Sequence, residues 1–166
     1  DFVGPAINTV LTIAEAGLGA DGKCTVLFRG SITTLATGTA QSIIQIDSGS
    51  GANRYLLSAA GGTTQSQLTR TTASVGSSAN VGALTAATLF SIGIAIDGAG
   101  GAIASLNGAA ALSVTGGPTS GLSTFRIGAG VSGVAPIAAG SIVAVRILPG
   151  QALSAADLQA AVAAFA

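Results

Sequence analysis

The side chains able to do chemistry in this chain are few. There are six Lys and Arg, six Asp and Glu, one Cys, one Tyr and no His. Without histidine, a Ser-His-Asp triad, a Cys-His pair and a His-ligated metal site are excluded. Glycoside hydrolysis normally needs two carboxyl groups on opposite sides of the scissile bond. Glu15 is the single glutamate, and Asp21, Asp97 and Asp157 sit where a turn or a helix start accounts for them. No acid–base pair emerges, so catalysis is not expected. Cys24 is alone, so no disulfide forms within the chain, and with no base beside it a small core residue is expected. The glycine-rich stretches lack the Gly-Lys-Ser/Thr ending of a phosphate loop and read as turns.

The best polar cluster is Asp47, Asn53, Arg54 and Tyr55, which flank the Ser-Gly-Ser-Gly segment at 48–51. Gln45, Gln67 and Arg70 fall on strands expected nearby. An arginine fork grips a carboxylate or vicinal hydroxyls, and a tyrosine offers a ring and a hydroxyl. Asp47, Asn53, Arg54, Tyr55 and Arg70 are therefore the candidate ligand-binding residues. The competing reading is a solvated hairpin end in which Asp47 pairs with Arg54. Calcium takes about six or more oxygens. Asp47 and Asn53 could supply some of them, but no dense acidic cluster exists, so no metal or cofactor is expected. Arg126 and Arg146 alternate with apolar residues and are expected to face solvent or a neighbouring subunit.

Composition narrows the partners. The 166 residues carry no net charge, and only 7% of them are charged, against about 25% in an average globular protein. No basic excess exists to neutralise a phosphate backbone, so nucleic acid is not an expected partner. The mean hydropathy of +0.71 raises the membrane question. The uncharged stretches 71–96 and 98–125 are broken every few positions by Ser, Thr, Asn and Gly, unlike a lipid-facing helix. The chain starts at Asp1, contains no Met and lacks a basic segment at its start. A processed protein or a piece of a longer one is expected. A surface poor in charge suits packing into an assembly, so a homo-oligomer or particle subunit is expected, with compositional bias as the alternative.

The elements that must position the polar cluster are mostly strands. Ile92, Ile94 and Ile96 alternate with Gly93, Ala95 and Asp97, and Val143, Val145 and Ile147 with Ala144 and Arg146. Val26 and Phe28 follow the same pattern, and 43–46 is a short apolar run. Further strands are expected at 7–13, 54–59, 66–72, 102–106, 110–114 and 124–128. Between them lie Asp21-Gly22, Gly61-Gly62, Asp97-Gly98, Asn107-Gly108, Gly116-Gly117-Pro118 and Pro149-Gly150, all turn formers. Asn107-Gly108 is a two-residue hairpin signal. The Ser/Thr/Ala-rich stretch 63–87 contains Gly76-Ser77-Ser78, read as a long loop. One helix is expected at the C-terminal end. Ser154 is its N-cap, Asp157 completes a variant capping box, and Leu153 and Leu158 form a staple. Leu158, Ala161, Val162 and Phe165 share its apolar face. Some ten short strands at this spacing predict an all-β, antiparallel two-sheet jelly-roll sandwich with one short C-terminal helix, a single domain over residues 1–166.

The second half resembles the laminin-G-like jelly-roll module of the concanavalin A-like lectin superfamily. Three segments carry the likeness. Leu89-Phe90-Ser91-Ile92-Gly93-Ile94-Ala95-Ile96-Asp97-Gly98 is similar to the strand that ends in an Asp-Gly turn. Ala104-Ser105-Leu106-Asn107-Gly108 is similar to the strand paired with it. Phe125-Arg126-Ile127-Gly128, the strand from Gly140 to Ile147 and Leu153-Ser154-Ala155-Ala156-Asp157-Leu158 are similar to the closing block. The resemblance implies two stacked, curved sheets and recognition of glycans or proteins at the concave face or rim loops. Gly/Ala/Ser/Thr-rich versions are similar to modules on bacteriophage fibres and spikes. The glucanase Glu-x-Asp-x-x-Glu motif of the superfamily is absent, and with no Trp and one Tyr the chain departs from lectin composition.

The expected function is non-enzymatic: a glycan- or receptor-binding module of a virion, phage-like fibre, spike or surface protein. A structural particle subunit that binds only other virion or surface-assembly proteins is the alternative. The expected location is a virion, the cell surface or the extracellular space.

Overall fold

A computed structural model of the chain describes residues 9–166, apart from 20, 36, 117, 118 and 132. The start of the 7–13 expectation, Phe2 and the Gly117-Pro118 turn lie outside the described residues. Six strands form one antiparallel sheet: β1 (Thr9–Thr12), β3 (Gln41–Asp47), β4 (Arg54–Ala59), β5 (Gln65–Thr72), β6 (Val75–Ala83) and β10 (Thr124–Ile127). Their order across the sheet is β1-β10-β3-β4-β5-β6. Five form the other: β2 (Cys24–Ile32), β7 (Phe90–Ile96), β8 (Ala102–Leu106), β9 (Leu112–Val114) and β11 (Gly140–Pro149), in the order β11-β2-β7-β8-β9. The two sheets stack as a sandwich, and helix α1 (Ala155–Ala164) lies on the five-stranded one.

The period-two pattern sets this arrangement. Phe90, Ile92, Ile94 and Ile96 of β7 point into the sandwich, where they meet Ile44, Ile46, Leu57, Leu68 and Phe125 of the opposite sheet in one buried cluster. Phe28 packs its ring 5.7 Å from that of Phe90. The alternate residues of β7 are Ser91, Gly93 and Ala95, and these small side chains face outward. Their size lets α1 lie close to the sheet.

Leu158 and Val162 of the helix are buried against Leu27 and Ala95, with Leu153, Ala161 and Phe165 packed around them. A Cβ on Gly93 would lie 2.7 Å from Val162 Cγ2 and 2.9 Å from Leu27 Cδ2, closer than carbon atoms pack. Ser154 caps the helix by accepting a hydrogen bond from the Asp157 backbone N–H. In place of the reciprocal backbone contact of a capping box, the Ser154 hydroxyl donates to the Asp157 carboxylate at 2.6 Å. Thr25 and Ser91 tie the two ends of this segment down, donating to the Gln151 and Phe165 carbonyls.

One expected loop is a strand. Residues 75–83 form β6 and pair with β5 through eight residue partners, from Thr72 opposite Val75 to Gln65 opposite Ala83. The intervening turn is Ala73-Ser74, both with positive φ (48° and 66°), in place of the glycine or asparagine that usually marks such a reversal. The Asn107-Gly108 hairpin, by contrast, has the expected geometry, with φ of 51° and 76°. Among the described residues no helix is long and apolar enough to cross a membrane.

Two expectations follow from this packing. Gly93→Val overfills the helix–sheet contact and lowers stability by about 1–3 kcal/mol, read as a lower urea midpoint. Cys24 is fully buried, and burial first, with the Asp21 charge second, pushes its thiol from 9.0 up to about 12. It should therefore resist a thiol reagent until the chain is unfolded. The unfolded thiol ionises first as pH rises, so this group's stabilising contribution falls between pH 9.0 and about 12.

Candidate functional site

The cross-strand register sorts the candidate residues onto two faces of the six-stranded sheet. Ile46 lies opposite Tyr55 and both point into the core, so Asp47, opposite Arg54, points away from it. Gln45 of β3 and Arg126 of β10 are partners on that same outer face. Asp47, Gln45, Arg54 and Arg126 thus meet on three neighbouring strands.

Asp47 is the centre of this group. It is fully buried although it faces away from the sandwich core. Arg126 Nε donates to its Oδ2 at 2.7 Å, and Gln45 Nε2 donates to the same oxygen at 2.9 Å. The Gly49 backbone N–H donates to Oδ1 at 2.7 Å, starting the turn toward β4. The ion pair is therefore with Arg126, whose side chain is 15% exposed, and the expected solvated Asp47–Arg54 pair is corrected. The expectation that Arg126 faces solvent or a subunit is corrected with it. Arg146 is exposed.

Arg54 is half-buried beside this pair. Its Nη1 donates at 3.3 Å to the carbonyl of Val131, in the connection from β10 to β11. That connection stays close to β3: Gly128 N–H donates to Ile43, Ser42 N–H to Ala135, and Ala135 N–H to Ala40. Burial pulls the Arg54 guanidinium below its usual pKa, and the Asp47 charge opposes the shift. The buried Arg54 Nε finds no acceptor, and Gln45 Oε1 and Ser58 Oγ on the same face find no donor. Farther across this face, Gln67 and Thr69 of β5 join Asn80 and Ser78 of β6 in a hydrogen-bonded row of amides and hydroxyls.

The other candidates lie elsewhere. Tyr55 is 1% exposed and belongs to the core cluster, so the expected ring and hydroxyl are not presented to a ligand. Arg70 lies opposite Tyr55 and so turns away from Asp47. It is buried at the sandwich rim, donates to Thr72 Oγ1 at 2.7 Å and passes so close to Gly116 that a Cβ there would clash with its guanidinium. Asn53 uses its side-chain oxygen to accept from the Ala73 backbone N–H at 2.9 Å, holding the positive-φ turn between β5 and β6. Asp47 and Asn53 do not converge on a cation. Among the described residues no three His, Cys, Asp or Glu side chains come together. Sequence reasoning missed the role of Arg126. Its alternation with Phe125 and Ile127 gives its face, but nothing local announces that β10 pairs with β3.

No family model matches the sequence, and no curated protein is similar to it. Solved structures share the fold. One is the CBM40 carbohydrate-binding module of the Ruminococcus gnavus IT-sialidase bound to α2,6-sialyllactose, with a TM-score of 0.66, 13% identity and 97% of both chains covered. A second is domain 4 of AbnA, a GH43 extracellular arabinanase from Geobacillus stearothermophilus, with arabinotriose. Its TM-score is 0.62 at 14% identity, over 84% of this chain and 66% of that one. The binding domain of botulinum neurotoxin serotype D/C aligns with a TM-score of 0.64 at 11% identity, over 96% of this chain and 41% of the other. At these identities the likeness establishes the β-sandwich fold.

The Asp47–Arg126 pair supplies a direct test of this geometry. Arg126→Ala leaves a buried carboxylate without its counter-charge and should cost about 3–5 kcal/mol in chemical denaturation.

Proposed function

We propose that residues 1–166 are one non-catalytic recognition module whose ligand is a glycan or a glycan-bearing receptor. The observation that carries this reading is the run of polar side chains, from half-buried Arg54 to the exposed Ser78 and Asn80, across the outer face of the six-stranded sheet. Guanidinium, amide and hydroxyl groups supply donors and acceptors side by side, a pattern that sugar hydroxyls satisfy because each both gives and receives. The amide and hydroxyl row of Gln67, Thr69, Ser78 and Asn80 continues the same face. We assign ligand contact to Arg54, held by the Val131 carbonyl beside the Asp47 charge. Asn53, Tyr55 and Arg70 shape the surrounding strands and turns.

A non-catalytic role is supported by where the carboxylates go. Glu15, Asp21, Asp47, Asp97 and Asp157 each accept hydrogen bonds from nearby backbone or side-chain groups, and no two flank a cleft. The fold relatives that bind sialyllactose and arabinotriose lend the glycan reading further support. We place the module outside the cell or on a surface assembly, and carry the laminin-G-like and phage-fibre setting as its finer form.

The second reading is a particle subunit that contacts only proteins. It is favoured by the 7% charge content and by the burial of Tyr55, which removes the one tyrosine as a sugar-stacking platform. A glycan array with the wild-type chain and Arg54→Gln separates the two. Glycan-dependent signal that falls about tenfold or more in Arg54→Gln, with the melting curve retained, supports the first. No signal from the wild type favours the second.

A further inference from the structure

An exposed sheet edge is a template for another strand, and proteins usually blunt it by shortness, charge, proline or a bulge. Of the three edges whose whole length lies within the described residues, two are blunted. β9 has three residues. β11 is long but carries Arg146, Pro149 and a register shift between Ile142 and Ala144. β6 is different. It is nine residues long, has no charge and no proline, and runs in regular register with β5 from Val75 to Asn80, its register shift confined to the far end at Val81. Most of it is exposed. Val75, at its start, is 73% exposed, the most exposed of the large hydrophobic side chains described.

We propose that β6 is the surface through which two copies of this chain associate, by antiparallel pairing of β6 with itself. The strand's own sequence fits this partner. In the register centred on Ser78, Ser78 meets its own copy, Ser77 meets Ala79, and Gly76 meets Asn80 of the second chain. Beyond this regular run, Val75 comes beside the bulge at Val81 of the second chain. No like charges face each other anywhere along the pair, and the chains carry no net charge to hold them apart. The two-fold axis runs through the sheet, so both six-stranded sheets join edge to edge and keep their outer faces on one side.

Sedimentation of the full chain from about 1 µM to about 500 µM tests the proposal through the concentration dependence of a dimer. Ser78 is exposed on the sheet's outer face, so Ser78→Lys and Ser78→Asp each place like charges opposite each other across the two-fold axis. Each variant alone should dimerise about tenfold or more weakly than wild type, and an equimolar mixture of the two should recover a dimer. Circular dichroism of each variant checks that the sandwich is intact, and Val143→Lys on β11 serves as the control that leaves association unchanged. A wild-type chain that stays monomeric throughout overturns the proposal. So does a dimer indifferent to both Ser78 variants, or one lost through Val143→Lys. None of these outcomes depends on glycan binding.

Discussion

Everything in this molecule rests on the division of β7 into a large side and a small side. Phe90, Ile92, Ile94 and Ile96 fill the space between the sheets, while Ser91, Gly93 and Ala95 leave room for a helix on the other surface. One strand therefore organises three layers. Each aliphatic side chain fully removed from water contributes about 1.5–3 kcal/mol, and this burial dominates a chain that has few charges to deploy. Once α1 covers the five-stranded sheet, the outer face of the six-stranded sheet is left for other work. The polar residues gathered there follow from that asymmetry.

Much of the fold was legible because its signals are local. The strands at 54–59 and 102–106 coincide with β4 and β8, and the Ser154 cap begins α1 one residue later. Alternation and turn chemistry act over a few residues, so a linear reading finds them. β6 escaped for the same reason. Its turn is Ala73-Ser74, whose positive φ angles are held by contacts from Asn53 and Ala52 some twenty residues away in the chain. Its own residues are small and polar, and become a strand only because β5 offers them a ladder.

The site was legible in part and for a similar reason. Asp47 and Arg54 flank one short loop and do share a face, as a hairpin requires. The same alternation places Tyr55 on the opposite face, so four neighbours in sequence could not all serve one ligand. Asp47 chose Arg126, 79 residues away, because β10 inserts between β1 and β3. Such a pairing is a property of topology, invisible to spacing along the chain.

The Asp47–Arg126 ion pair is shielded from solvent on its acidic side. Added electrolyte weakens exposed charge pairs through Debye screening and reaches sheltered ones far less. Among the described residues, cohesion therefore draws little on the kind of charge pair that added electrolyte loosens.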